Sequence, residues 1–347
     1  MIGMSCFTID TSEPDLTELA RFFAEQTDDP PERIHERLRW QMGNPSRRPD
    51  VPFAWCVRTS SGTLGGAMLC MPHRLIKGVQ NCTALMSHGF YVDVSLRGAG
   101  MGIFLQYRAL GEQYVLYTTT ANAQAGQLWR WAGAKALAET DHELLRPVRW
   151  SSIVEETLVR RLGAHSAPLV RLVAPLAEIR RVASWTASAG ELTLVQCPED
   201  AVIPPIGDGL QPVRDAAFIR WRFFDVPQAE AQIYSYRDEK LGADGFVALT
   251  RVRRGYRRQI RTLFLADMWG KIPPSAFPRL LSAISSRYRP TVDVIAIRCM
   301  GRPYLQDALA ANCVRRSFEY PTGWYIDRGA MLGHDPVLIP AAATELV

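Results

Sequence analysis

The sequence predicts an α/β protein of the α+β type, built as two units that each pair a mixed, mostly antiparallel sheet with flanking helices. Two observations carry this. The chain has 347 residues, enough for two domains of ordinary size. The order strand, strand, helix, strand, helix, strand also occurs twice, once in the second half of a first unit and again in a second. We place the first unit at residues 1–145, a helical and irregular connector at 146–205 and the second unit at 206–347.

Hydrophobic periodicity justifies each element in turn. A short strand is expected near Ser5–Ile9, and helices from about Leu16 to Gln41, with Asp15 as N-cap. Strands at Phe53–Thr59 and Gly65–Pro72 flank the turn Ser60-Ser61-Gly62. Ala84–Leu96 reads as a strand because Phe90, Val92, Val94 and Leu96 alternate with Tyr91, Asp93 and Ser95. A helix is expected from about Met101 to Gln113, a strand at Tyr114–Thr120, and a helix capped by Asn122 that stops near Gly133. Pro168 and Pro175 should split the helical connector. In the second unit, strands are expected near Ile233–Tyr236, Gly245–Arg253, Gln259–Ala266, Val292–Arg298 and Gly323–Ile326. Helices are expected at Pro274–Arg287 and Leu305–Asn312.

Composition narrows the function classes. With 47% hydrophobic and 22% charged residues, a large core can form without cross-links. The seven cysteines are scattered singly with no C-x-x-C pair, which points to reduced thiols and to neither a disulfide frame nor a metal site. The first residues lack a basic, apolar leader, and no run is long enough to span a membrane, so a cytoplasmic location is expected. A net charge of +5 does not call for nucleic acid.

The most informative segment is Tyr91-Val-Asp-Val-Ser-Leu-Arg-Gly-Ala-Gly-Met-Gly102. It sets an arginine and three alternate glycines between a strand and a helix. A pyrophosphate needs several converging backbone N–H donors and no Cβ in the way. Gly98, Gly100 and Gly102 allow that approach, the helix start adds unpaired N–H groups, and Arg97 adds a fixed charge. Two other readings compete. One is a plain tight turn. The other is a nucleotide loop, but the spacing is G-x-G-x-G and the phosphate-binding lysine of a P-loop is missing.

Arg97-x-x-Gly100-x-Gly102 resembles the acyl-CoA signature Q/R-x-x-G-x-G/A of the GNAT superfamily of N-acyltransferases. Asn122-Ala-Gln-Ala-Gly-Gln-Leu-Trp-Arg-Trp-Ala-Gly-Ala134 is similar to that family's following block, N-x-x-A-x-x-L-Y-x-x-x-G-F. The resemblance implies acetyl-CoA or another acyl-CoA as co-substrate. The contacts would come from Tyr91, Val92, Val94, Arg97, Gly98, Ala99, Gly100, Met101, Gly102 and Asn122, with a backbone N–H in Phe90–Val94 meeting the thioester carbonyl. The second unit resembles the same fold with its loop lost, because Ala266–Ser275 has one glycine and two prolines.

Acyl transfer to an amine needs a base for the ammonium proton and an acid or donor for the thiolate. His88 and Asp93 are candidate bases. The family's tyrosine acid is replaced by Trp129, whose indole cannot give up a proton. Tyr117 is the substitute we name; Trp129 and Trp131 otherwise read as core. For the acceptor, the arginine-rich hairpin Arg251–Arg261 offers Arg254 and Arg257, and Phe218–Phe224 offers Arg220 and Arg222. Either segment could equally serve solubility or domain packing. The expected acceptor is a small-molecule or glycan-precursor amine, phosphate-bearing or a sugar, with no nucleic acid. The rival readings are an acyl-CoA sensor without turnover and an aminoacyl transferase of cell-envelope precursors.

Overall fold

A computed structural model describes residues 6–9, 12–27, 29–78, 80–163, 190–204, 211–227, 231–254, 260–298 and 313–328. The expected helix at Leu305–Asn312, the prolines at 168 and 175, and Arg257 lie outside these residues.

The first half begins with strand β1 (Phe7–Ile9) and helices α1 (Glu13–Gln26) and α2 (Pro31–Met42). Ser12, and not Asp15, caps α1. Its hydroxyl accepts from the Asp15 N–H, and Asp15 sits inside the first turn, where its charge suits the helix dipole. β2 (Ala54–Arg58), β3 (Leu64–Lys77) and β4 (Gln80–Val92) form an antiparallel meander. A short 3₁₀ turn at Val94–Leu96 leads into α3 (Arg97–Ala109). Next come β5 (Val115–Thr118), α4 (Ala123–Trp131), the two-residue β6 (Lys135–Ala136), β7 (His142–Pro147) and α5 (Trp150–Leu162). Asn122 caps α4 as expected, accepting from the Ala125 N–H at 2.9 Å, and Gly133 ends it with φ of 84°.

The second half holds β8 (Glu191–Leu194), β9 (Gln211–Pro212), a single helical turn α6 (Ala216–Ile219) that widens into a π-turn at Arg220–Phe224, and β10 (Ala231–Asp238). β11 (Ala243–Arg254), β12 (Ile260–Lys271), α7 (Phe277–Tyr288), β13 (Val294–Ile297), β14 (Val314–Ser317) and β15 (Trp324–Ile326) follow.

These strands form two sheets of matching design. One runs β1-β2-β3-β4-β5-β15-β6, with β9 on the far end of β3. The other, read in the same sense, runs β8-β10-β11-β12-β13-β7-β14. In each, an antiparallel meander ends in a parallel pair, β4 with β5 and β12 with β13, joined by a helix, α3 or α7. In each, the first strand of the parallel pair, β4 or β12, carries a bulge. The helix α7 shows why the crossover is stable: Phe277, Leu280, Leu281, Ile284 and Tyr288 recur at helical spacing and are buried against the second sheet.

The repeat is crossed in one respect. β7, from the first half, pairs with β13, and β15, from the second half, pairs with β5. The expected boundary at 145/146 therefore falls inside β7, and Gly323–Ile326, expected in the second unit, completes the first sheet. Both strands are short, and pairing between distant segments leaves no local mark in a sequence.

Between the sheets lies the segment from α6 to the π-turn. Phe218 and Trp221 pack with Trp40, Met71, Met86 and Tyr117 of the first layer, while Ile219 and Phe223 pack with Phe264 and Trp269 of the second. Arg214, just ahead of it, forms a buried two-pronged pair with Asp267 on β12 at 2.8 and 2.9 Å. The segment read as either cleft lining or domain packing is thus the wedge that joins the halves.

Candidate active site

Two features meet on β4. The first is its divergence from β5. The parallel ladder spans Ala84–Met86 against Val115–Tyr117, yet β4 continues to Val92. The Thr118 hydroxyl takes the Ser87 carbonyl, and beyond it the peptide groups of β4 on the β5 side have no ladder partner. A bulge sits at the point of divergence. Leu69 pairs with His88 and Ala67 with Tyr91, so Gly89 and Phe90 together oppose Met68. Gly89 has φ of 56°, the left-handed conformation that a glycine bulge requires. Sequence reasoning missed this; a glycine inside an otherwise alternating strand was the available signal.

The second feature is the start of α3. The segment expected to be a loop, Arg97-Gly98-Ala99-Gly100-Met101-Gly102, is helical from Arg97 onward. The N–H groups of a helix's first turn point along the axis and lack intrahelical partners, so this geometry still presents converging donors to an anion. The three glycines differ. A Cβ at Gly98 or Gly102 would meet nothing within 4 Å, whereas one at Gly100 would lie 3.0 Å from Val92 Cγ2. Gly100 is thus needed for α3 to lie close on β4, and the other two leave the outer approach open. Arg97, Gly98 and Met101 are exposed, as is Val94, while Tyr91, Val92 and Ala99 are half-buried. Asp93 stands where β4 ends: its N–H donates to Gly65 O and its carbonyl accepts from the Leu96 N–H, both at 2.8 Å.

On the opposite face of β4 lies a buried polar cluster. Cross-strand register puts His73, Met71, Ala84, Met86 and His88 on one face, with Val115 and Tyr117 beside them. The wedge covers this face and brings in Arg222. Its guanidinium lies 5.6 Å from the Trp40 ring centroid, and Trp40 stacks on Trp221 at 4.7 Å, locked by reciprocal indole-to-carbonyl hydrogen bonds of 2.7 and 2.8 Å. The Tyr117 hydroxyl bonds His73 Nδ1. Burial, reinforced by the Arg222 charge, pushes both imidazoles down to about 3, so they are neutral at physiological pH. Burial raises the Tyr117 phenol far above its usual range and lowers Arg222 to about 10.

The expected residues therefore separate. His88 and Tyr117 share the buried cluster. Asp93 is five residues beyond His88 at the strand end, on the order of 15 Å along an extended chain, so the structure does not bring the two candidate bases together. Trp129 is core, packed edge-on against Phe104 and Tyr107 at 5.4 and 5.9 Å. Trp131 is the exception to the core reading; it is exposed, with Arg108 over its ring. Arg220 is exposed and paired with Glu199 at 3.2 Å. Arg254 is paired with Glu143 of β7 at 2.9 Å, which Arg316 also contacts. Among the arginines proposed for the acceptor, Arg222 is the one in the cluster. His73 was not foreseen, because nothing in the sequence places β3 beneath the wedge.

No protein-family model matches the sequence, and no curated protein matches it. Solved structures do. The chain is similar to Saccharomyces cerevisiae N-myristoyltransferase with bound myristoyl-CoA and inhibitors, with a TM-score of 0.56 at 13% identity over 94% of this chain and 79% of that one. A second structure of that enzyme with bound myristoyl-CoA gives a TM-score of 0.55 at 11% identity over 100% and 83%. A conserved Enterococcus faecalis V583 protein described as a probable N-acyltransferase gives 0.54 at 11% identity over 94% and 74%. The likeness is one of fold: the two mixed sheets with flanking helices described above match the fold of these structures.

Proposed function

We propose that this chain is an N-acyltransferase that takes its acyl group from acyl-CoA, with acetyl-CoA as the simplest donor. The observation that carries the reading is the junction of β4 and α3: a strand that leaves its parallel neighbour at a glycine bulge and passes through one short 3₁₀ turn into an open, glycine-bearing helix N-terminus. The fold shared with N-acyltransferases supports it. In this reading the pyrophosphate lies at the first turn of α3, with Arg97 adding a charge-assisted contact. The pantetheine follows the unpaired edge of β4, whose free N–H groups polarise the thioester carbonyl.

The acceptor amine attacks from the face of His88, and no covalent enzyme intermediate is needed. The ammonium proton leaves to solvent before attack, the C–N bond forms as the C–S bond breaks, and the proton that the attacking nitrogen then sheds goes to the departing thiolate, giving a neutral amide and free CoA thiol. His88 is neutral and faces the amine as a hydrogen-bond partner, with burial holding it too weakly basic to keep the ammonium proton, and Tyr117 is committed to His73.

The test is release of free CoA thiol from acetyl-CoA in the presence of a panel of amines. Amine-dependent release is expected. Arg97→Ala should raise the acetyl-CoA KM by roughly 10-fold, the loss of one charge-assisted contact. Tight CoA binding with no release for any amine would replace this reading with a sensor.

A further inference from the structure

Arg222 is 4% exposed and His88 3% exposed. Among the described residues, Arg222 Nη2 and both ring nitrogens of His88 have no hydrogen-bond partner. Among the described residues no carboxylate forms an ion pair with Arg222. Asp267 on β12 is bonded to Arg214 and to the Met268 N–H and acts on Arg222 only through space. A buried charge without a direct ion-pair partner is costly, and so is a buried donor without an acceptor. Three such atoms in one cluster indicate a site completed by something that binds. The charge also sits on a π-turn, a helical defect that recurs at functional sites.

We propose that Arg222 and His88 recognise a carboxylate on the acceptor, so that the acceptor is an amine that also carries a carboxylate, such as a free amino acid or a short peptide terminus. The complementary chemistry is a compact monoanion: a guanidinium 5.6 Å from the Trp40 ring centroid offers the N–H donors of Nη2, and a neutral imidazole offers one donor or acceptor. A phosphate dianion would call for more cationic or N–H donors than this face supplies. The wedge of aromatic side chains around Arg222 excludes water, which strengthens a single ion pair. That the bound molecule is acylated rests on the transferase reading; that its carboxylate binds here does not.

The experiment is thermal unfolding of the full chain with free amino acids and dipeptides, each compared with its C-terminal amide, and with inorganic phosphate. No acyl-CoA is present, so failure here is separable from failure of the transferase reading. At least one acid should raise Tm by roughly 2 °C at a concentration about tenfold above its Kd, and its amide should not. Arg222→Met should abolish that shift while leaving the unliganded Tm equal to or above that of the native chain. Arg222→Lys should keep a smaller shift. The inference is overturned if no acid raises Tm, if amides or phosphate act as well as acids, or if the response survives in Arg222→Met. A large fall in unliganded Tm in Arg222→Met would also overturn it, because the cation would then be structural.

Discussion

Gly98, Gly100 and Gly102 look alike in the sequence and do different work. Gly100 meets Val92, so Gly100→Val should lower stability by about 1–3 kcal/mol through overpacking, read as a fall in Tm. An unchanged Tm would mean that α3 does not lie against β4 as described. The buried imidazoles give a second expectation. Unfolded histidine binds protons below about pH 6.5, whereas folded His73 and His88 stay neutral to about pH 3. The unfolded state therefore holds more protons between those values. The stability from these groups is complete above about pH 6.5 and falls as pH drops toward 3, by about 1.4 kcal/mol per pH unit for each imidazole. His88→Gln should flatten the slope of unfolding free energy between pH 6 and 4.5 by about that amount for one imidazole. The same slope in variant and native chain would contradict the burial of a neutral His88.

Among the elements, β4 matters most. Its alternation was readable, and so was its position before the glycine segment. Its bulge was not, because one left-handed glycine changes the backbone without disturbing the apolar pattern around it. Gly89→Ala would place a Cβ 3.3 Å from Leu69 and Phe23 at φ of 56°. It should cost about 1 kcal/mol or more in stability and weaken acetyl-CoA binding, measured by calorimetry, because the bulge sets where β4 leaves β5. Native affinity in this variant would separate the bulge from the site. The start of α3 was misread for a related reason. Alternate glycines are poor helix formers, and packing of α3 on β2 and β3, with Gly100 against Val92 of β4, holds them helical. The first turn of a helix and a loop share the same free N–H groups, so the expected anion site kept its physical basis though the element changed. Arg222 was readable as a candidate from its aromatic surroundings, but its burial was not, since that depends on a wedge between two sheets.

For the two halves together, the crossed strands decide how the protein folds. β15 closes the first sheet beside β5, and β7 closes the second beside β13. Residues 1–145 expressed alone would expose the free edge of β5 and lose the wedge over His73 and Tyr117. That fragment should show no cooperative thermal transition by circular dichroism. A sharp transition near the native Tm would show that the halves fold independently despite the exchange.

The measurement that bears hardest on the acyl-CoA site is calorimetric titration of CoA into the native chain and into Gly98→Glu. A glutamate there has open space around it and a favourable place in the helix dipole, so stability should hold or rise. Its charge would face the pyrophosphate, and the CoA Kd should increase by roughly 10-fold or more, equivalent to about 1.4 kcal/mol. Equal affinities in the two proteins, with the fold intact, would show that CoA does not bind at the start of α3.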